Sequence, residues 1–156
     1  MKKIFILCAT LLCVTGCSFN KTDSSNQVIK QCTTQLSGEN PNYQYNAEYN
    51  IYSTDDTVDK IEINETLDSE DSDTQAYFES YIKDKYDEQN NNFGGVEYNI
   101  EKNDNNLEAN TTIDYSKMDI EAYAASLEGM DKYVKDKKLL TEGMLEYYKL
   151  LGFTCE

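Results

Sequence analysis

The chain of 156 residues has no histidine, no arginine and a single proline. Without histidine there is no imidazole base, so a Ser-His-Asp or Cys-His nucleophile arrangement is excluded. A zinc site also loses one of its two commonest ligand types. Lysine is the only basic residue: 14 lysines face 29 acidic residues, for a formal net charge of −15. Nucleic acid and anionic lipid headgroups both call for clustered positive charge, so neither is expected as a direct partner. Cations and basic partners suit this charge, whose plainest role is to keep the chain soluble. No Gly-x-Ser-x-Gly, phosphate-binding loop or zinc-ligand spacing occurs. No cofactor, no resident metal and no catalytic residue is therefore assigned. The composition points away from enzymes and toward a binding or interaction module, with a motif-free hydrolase of envelope material as the alternative.

What is present begins with three cysteines, Cys8, Cys13 and Cys17, within ten positions. Met1-Lys2-Lys3 is a basic start, residues 4–14 are apolar apart from Thr10, and small residues Thr15 and Gly16 precede Cys17. This is the order of an export signal, and its apolar run falls short of the roughly 20 residues a membrane span needs. Val14-Thr15-Gly16-Cys17 resembles the lipobox of bacterial lipoproteins. The resemblance implies cleavage by signal peptidase II between Gly16 and Cys17, and a diacylglycerol thioether on the Cys17 thiol. Cys8 and Cys13 then act as ordinary apolar residues of the signal. The expected organisation is a signal peptide over 1–16, a flexible tether over 17–27 and one domain over 28–156. The expected location is the outer face of the bacterial cell membrane, reached through the lipid. Losing Lys2 and Lys3 from the 14 lysines leaves 12 against 29 acidic residues, a net charge of −17.

Within the domain, alternation of Cys32, Thr34 and Leu36 marks a strand over 28–36, followed by a turn over 37–41. Tyr43, Tyr45, Ala47, Tyr49 and Ile51 alternate with polar residues, and Ile61, Ile63 and Leu67 return, so 42–67 reads as a hairpin. The tyrosines on the Ala47 and Ile51 face belong to the core, which leaves Tyr52 as the better surface candidate for stacking a ligand. An acidic run over 68–73 precedes a helix, with Ser72 and Gln75 as a capping box. Tyr77, Phe78, Tyr81, Ile82 and Tyr86 form its apolar face. The run lacks the glycine and ligand spacing of a calcium loop, so its acids read as a helix N-terminal cluster.

A second hairpin carries Val96, Tyr98 and Ile100, then Leu107, Ala109, Thr111, Ile113 and Tyr115. A short helix from Asp119, a basic connection over 129–138 and a last helix capped by Thr141 complete the chain. The fold expectation is α+β: an antiparallel sheet of four to five strands, two hairpins plus an N-terminal strand, with helices on one face. Cys32 and Cys155 remain after export, and an oxidising compartment favours their bonding; the alternative is two unpaired, partly buried thiols.

The lipobox, the two hairpins split by a helix, and the stretches TTIDYSKMDIEAYA and LTEGMLEYYKLLGF together resemble the YehR-type lipoproteins. These are small bacterial lipoproteins without an assigned activity. The resemblance spans most of 28–156 and implies an α+β fold and an envelope location. It supplies no catalytic residues.

Overall fold

The computed structural model describes residues 27–156. The calls on Cys8, Cys13, Gly16 and Cys17 lie outside the described residues, as does the tether up to residue 26.

The described residues form an antiparallel sheet with three α-helices. Strands β1 (Gln27–Glu39), β2 (Asn42–Thr54) and β3 (Thr57–Asp68) follow one another as a meander. Helix α1 (Ser72–Phe93) leads to the hairpin β4 (Val96–Lys102) and β5 (Asn106–Asp114). After a 3₁₀ turn come α2 (Ile120–Ser126), a second 3₁₀ turn, the small strands β6 (Val134–Lys135) and β7 (Lys138–Leu139), α3 (Thr141–Leu150) and β8 (Thr154–Cys155). The main sheet has six strands in the order β4-β5-β3-β2-β1-β8, and β6 pairs only with β7.

This corrects the expected four to five strands. The additional one is β8, whose two residues pair with Cys32 and Thr33 of β1. Strand β1 also runs three residues further than the alternation suggests, through Ser37, Gly38 and Glu39, each paired with β2. The basic connection over 129–138 is a correction too. It holds a 3₁₀ turn and the β6–β7 hairpin, whose turn residues Asp136 and Lys137 both take positive φ.

One face of the sheet is covered. Ala47, Tyr49 and Ile51 of β2, Ile61, Ile63 and Leu67 of β3, and Leu107, Ala109 and Ile113 of β5 are all buried there. A register shift between Tyr52 and Ser53 keeps Val58 on this face although it lies an odd number of residues from Ile61, as a bulge requires. The opposite face is polar: Asn64 of β3 donates across to Glu108 and Asn110 of β5, while Asn110 donates to Glu108 and Asn50 to Glu48 along their own strands. Such division into one packed and one solvated face is the usual economy of an antiparallel sheet.

Helix α1 buries Gln75, Phe78, Ile82 and Tyr86, a stripe at three- and four-residue spacing. Its cap is Asp71 rather than Ser72, with the carboxylate accepting the Thr74 N–H at 2.6 Å. That hydrogen bond holds the Asp71 carboxyl below its ordinary pKa. Gln75 does not complete a capping box. Its amide is buried and donates to the carbonyls of Ser69 and Asp104, fastening the helix start to the β4–β5 turn. Tyr77 and Tyr81 are not core residues; they are 74% and 48% exposed. The last helix is capped at Leu140, so Thr141 is its first residue, and the Thr141 hydroxyl donates to Ser53 Oγ at 2.8 Å.

Candidate functional site

The core phase of β3 reads Ile61, Ile63, Glu65, Leu67, so a carboxylate occupies a position whose neighbours are aliphatic. Glu65 is 1% exposed and is the one buried charged side chain among the described residues. Register explains the space it fills. Ala47 of β2 and Ala109 of β5 lie directly beside it on the two flanking strands. Two small side chains leave a hollow in the sheet surface under α1.

Three donors converge in that hollow. The Tyr45 hydroxyl donates to Glu65 Oε1 at 2.8 Å and the Tyr86 hydroxyl to Oε2 at 2.5 Å. Lys85 Nζ donates to Oε1 at 3.3 Å. Charge-assisted bonds of this kind are about twice as strong as neutral ones. A buried carboxylate without them would cost several kcal/mol. Burial is the main reason that the Tyr45, Tyr49 and Tyr86 hydroxyls are held well above the ordinary phenol pKa, and the Glu65 charge adds to it.

Lys85 links this buried centre to the surface. Its side chain remains 28% exposed. The ammonium also donates to the hydroxyls of Tyr49 and Tyr86, at 3.3 and 3.1 Å. It sits 4.5 Å from the Tyr86 ring centroid and 5.8 Å from those of Tyr49 and Tyr81, within cation–π range.

Above Lys85 lies a cleft of about 770 Å³ between α1, α2 and α3. Its walls are mostly aromatic: Tyr77 and Tyr81 on the α1 rim, Tyr147 and Tyr148 from α3, Phe93 and Tyr123 toward α2. These rings brace one another. Tyr49 meets Tyr148 edge-on at 4.9 Å, and Phe93 meets Tyr123 edge-on at 5.6 Å. Burial pushes the Tyr123 hydroxyl pKa up to about 12. Among the described residues Lys85 is the only cation lining the cleft, with Asp84 and Glu88 on the same helix. Gln89 Nε2 is buried at the cleft and has no acceptor among the described residues. An unmet amide donor, an ammonium and several ring faces make a site suited to ligands with acceptor oxygens on an apolar or ring-shaped body.

The residues singled out from sequence lie elsewhere. Cys32 and Cys155 face each other across β1 and β8 and are joined as a disulfide. Tyr52 lies on the polar face, where its hydroxyl donates to Glu62 and Lys60 covers its ring. In the acidic run, Asp71 is the α1 cap and Asp68 accepts from Asn106. Among the described residues no three acidic or cysteine side chains are grouped as metal ligands would be.

Glu65, Lys85 and Gln89 were not singled out from sequence. The signal for Glu65 was its phase, two residues after Ile63 and two before Leu67. For Lys85 it was the i, i+4, i+8 series Tyr77, Tyr81, Lys85.

Fold and cleft together define a small α+β domain with one helix-covered sheet face and one open face. Its fold is YehR-like. The NMR structure of the E. coli YehR protein is similar at 17% identity and a TM-score of 0.53, covering 85% of this chain and 92% of that one. The NMR structure of a protein from Streptococcus pneumoniae TIGR4 is similar at 16% identity and a TM-score of 0.50, covering 100% and 97%. At such identities the likeness is one of fold. No family model matches the chain, and no curated protein matches it significantly.

Proposed function

We propose that this chain is a lipid-anchored protein of the bacterial cell envelope, of the YehR-type lipoprotein family, whose domain is a binding module. Cys17 carries the lipid after cleavage at Gly16, and the domain stands on the outer face of the cell membrane. Support for this location is the basic, apolar, small-residue and cysteine order of residues 1–17. The Cys32–Cys155 disulfide suits an exported chain. Among the described residues no helix is long and apolar enough to cross a membrane. One acyl chain holds only weakly and two or more hold durably.

The observation that carries the binding role is the cleft: exposed Tyr77 and Tyr81 stand over the Lys85 ammonium and the unmet Gln89 donor. The ligand is an oxygen-rich, ring-bearing envelope component, the chemistry of a wall glycan. A hydrolase is less favoured because Glu65, the one buried carboxylate among the described residues, is held by three donors and does not line the cleft, so it is not within reach of a bound substrate as a base.

Two experiments test the two halves. Labelled palmitate enters the wild-type chain but not Cys17→Ala; equal labelling refutes the anchor. Soluble wall glycan fragments shift the amide resonances of Lys85 and Gln89, and Tyr81→Ala abolishes the shift. No shift at millimolar fragment refutes the ligand class.

A further inference from the structure

Strand β1 is bonded to β2 along all 13 residues, but on its other edge β8 covers only Cys32 and Thr33. Gln31 exchanges both backbone hydrogen bonds with Glu156 across that edge. Antiparallel alternation therefore turns the N–H and C=O groups of odd-numbered β1 residues toward it. Gln35, Ser37 and Glu39 offer theirs with no strand beside them among the described residues. This free run, 34–39, is about 20 Å long.

Edges of this kind are usually blunted by lysine, proline or a bulge. The opposite edge, β4, follows that rule, with Glu97, Glu101 and Lys102 in seven residues. Residues 34–39 read Thr-Gln-Leu-Ser-Gly-Glu, with no lysine, no proline and an unbroken register to β2.

Beside this edge lies an apolar groove of about 860 Å³. Leu36, 56% exposed, forms one bank, and Tyr43, Tyr77, Phe78 and Phe153 contribute the floor and far wall. Among the described residues the charged groups lining it are Asp71 and Asp73, and no lysine lines it.

We infer that the 34–39 edge of β1 takes an extended basic peptide as an added strand, antiparallel and in line with β8. Its alternate side chains enter the groove and its lysines or arginines meet Asp71 and Asp73. Strand addition draws affinity from main-chain hydrogen bonds and selectivity from pockets for alternate side chains. Strand β8 shows that the same edge already accepts an antiparallel partner. A second copy fits less well, because two chains of net charge −15 would be brought edge to edge. This groove shares Tyr77 and Tyr81 with the Lys85 cleft, but neither variant below alters a residue lining that cleft.

The test uses the purified full chain and a synthetic eight-residue peptide alternating valine with lysine, read by fluorescence anisotropy at low salt. Its glutamate counterpart and a version N-methylated at alternate residues are controls. The lysine peptide binds at least about tenfold tighter than either control and protects the Gln35 and Ser37 amides from hydrogen exchange. Ser37→Pro removes one outward N–H at an edge position that tolerates proline, and Leu36→Asp spoils the groove. Each weakens binding at least about tenfold, a loss of about 1.4 kcal/mol, with the melting temperature kept. Equal binding of all three peptides, no binding, or an unaffected Ser37→Pro variant overturns the inference. So does a wild-type dimer that Ser37→Pro dissolves, since the occupant is then a second copy.

Discussion

Glu65→Ala removes the acceptor from two phenols and one ammonium at once. Tyr45 and Tyr86 bond it from buried or half-buried positions, and a hydrogen bond to a charged group contributes about 1.5–3 kcal/mol. Lys85 keeps enough exposure to turn toward water, so its loss falls at the low end. Breaking a buried pair from one side costs about 3–5 kcal/mol, and we place Glu65→Ala in that range. A domain of ordinary stability, roughly 5–15 kcal/mol, would lose a large part of it, with a fall in melting temperature of roughly 10–20 °C. The partner prediction is sharper. Glu65→Leu combined with Tyr45→Phe, Tyr86→Phe and Lys85→Met removes the carboxylate and its three donors together, leaving only the Tyr49 hydroxyl of the network, and an apolar replacement of a buried charged group with its partners is often close to neutral. The quadruple variant is therefore more stable than Glu65→Ala alone. Urea unfolding with a shared m-value reads both. A Glu65→Ala cost under about 1 kcal/mol, or a quadruple variant no more stable than Glu65→Ala, would refute the assignment of Glu65 as the charged centre of one network.

Cys155→Ser, or reduction of the disulfide, opens a loop spanning 123 positions and costs about 4–5 kcal/mol in chain-entropy terms, measured by urea unfolding with and without reductant. Burial raises the pKa of Tyr45, Tyr49, Tyr86 and Tyr123 in the folded state. Their contribution is complete below pH ~10, the unfolded value, and is lost as pH rises through the folded one. For Tyr123, held at about 12, this is about 3 kcal/mol lost between those limits. Tyrosinate absorbance that develops smoothly from pH ~10, without an unfolding step, would count against it. Gly95 and Gly152 both take positive φ, but a Cβ at Gly95 would come within 2.5 Å of the Asp114 carbonyl whereas one at Gly152 meets nothing. Gly152→Ala therefore costs about 1–2 kcal/mol and Gly95→Ala clearly more; equal melting temperatures would contradict this.

Both hairpins and α1 were legible because one-sided burial writes its period into the chain, two for the strands and about 3.6 for the helix. Strand β8 was not, since two residues carry no period and its partner lies 123 positions away. The β6–β7 hairpin turns on Asp136 and Lys137 rather than on glycine, so a lysine-rich segment read as a linker. The tyrosines of α1 misled in a more instructive way. Tyr77 and Tyr81 precede the buried Phe78 and Ile82 by one residue each, which places them about 100° around the helix, at the flank of the buried stripe. Sequence spacing does not tell a flank from a face when both are aromatic. Glu65 was hidden because its acceptability depends on Ala47 and Ala109 beside it and Tyr86 above it, and pairing of that kind is visible only once the sheet is assembled.

The proposed ligand site is the Lys85 cleft beside Tyr77 and Tyr81. A photo-reactive amino acid placed at position 81 of the full chain, activated in the cells that make it, tests this proposal, with position 64 on the open sheet face as the control. Position 81 is expected to give a discrete adduct that Tyr77→Ala diminishes, and position 64 none. An adduct from position 64 with nothing at position 81 would move the binding surface to the other side of the sheet and contradict the claim.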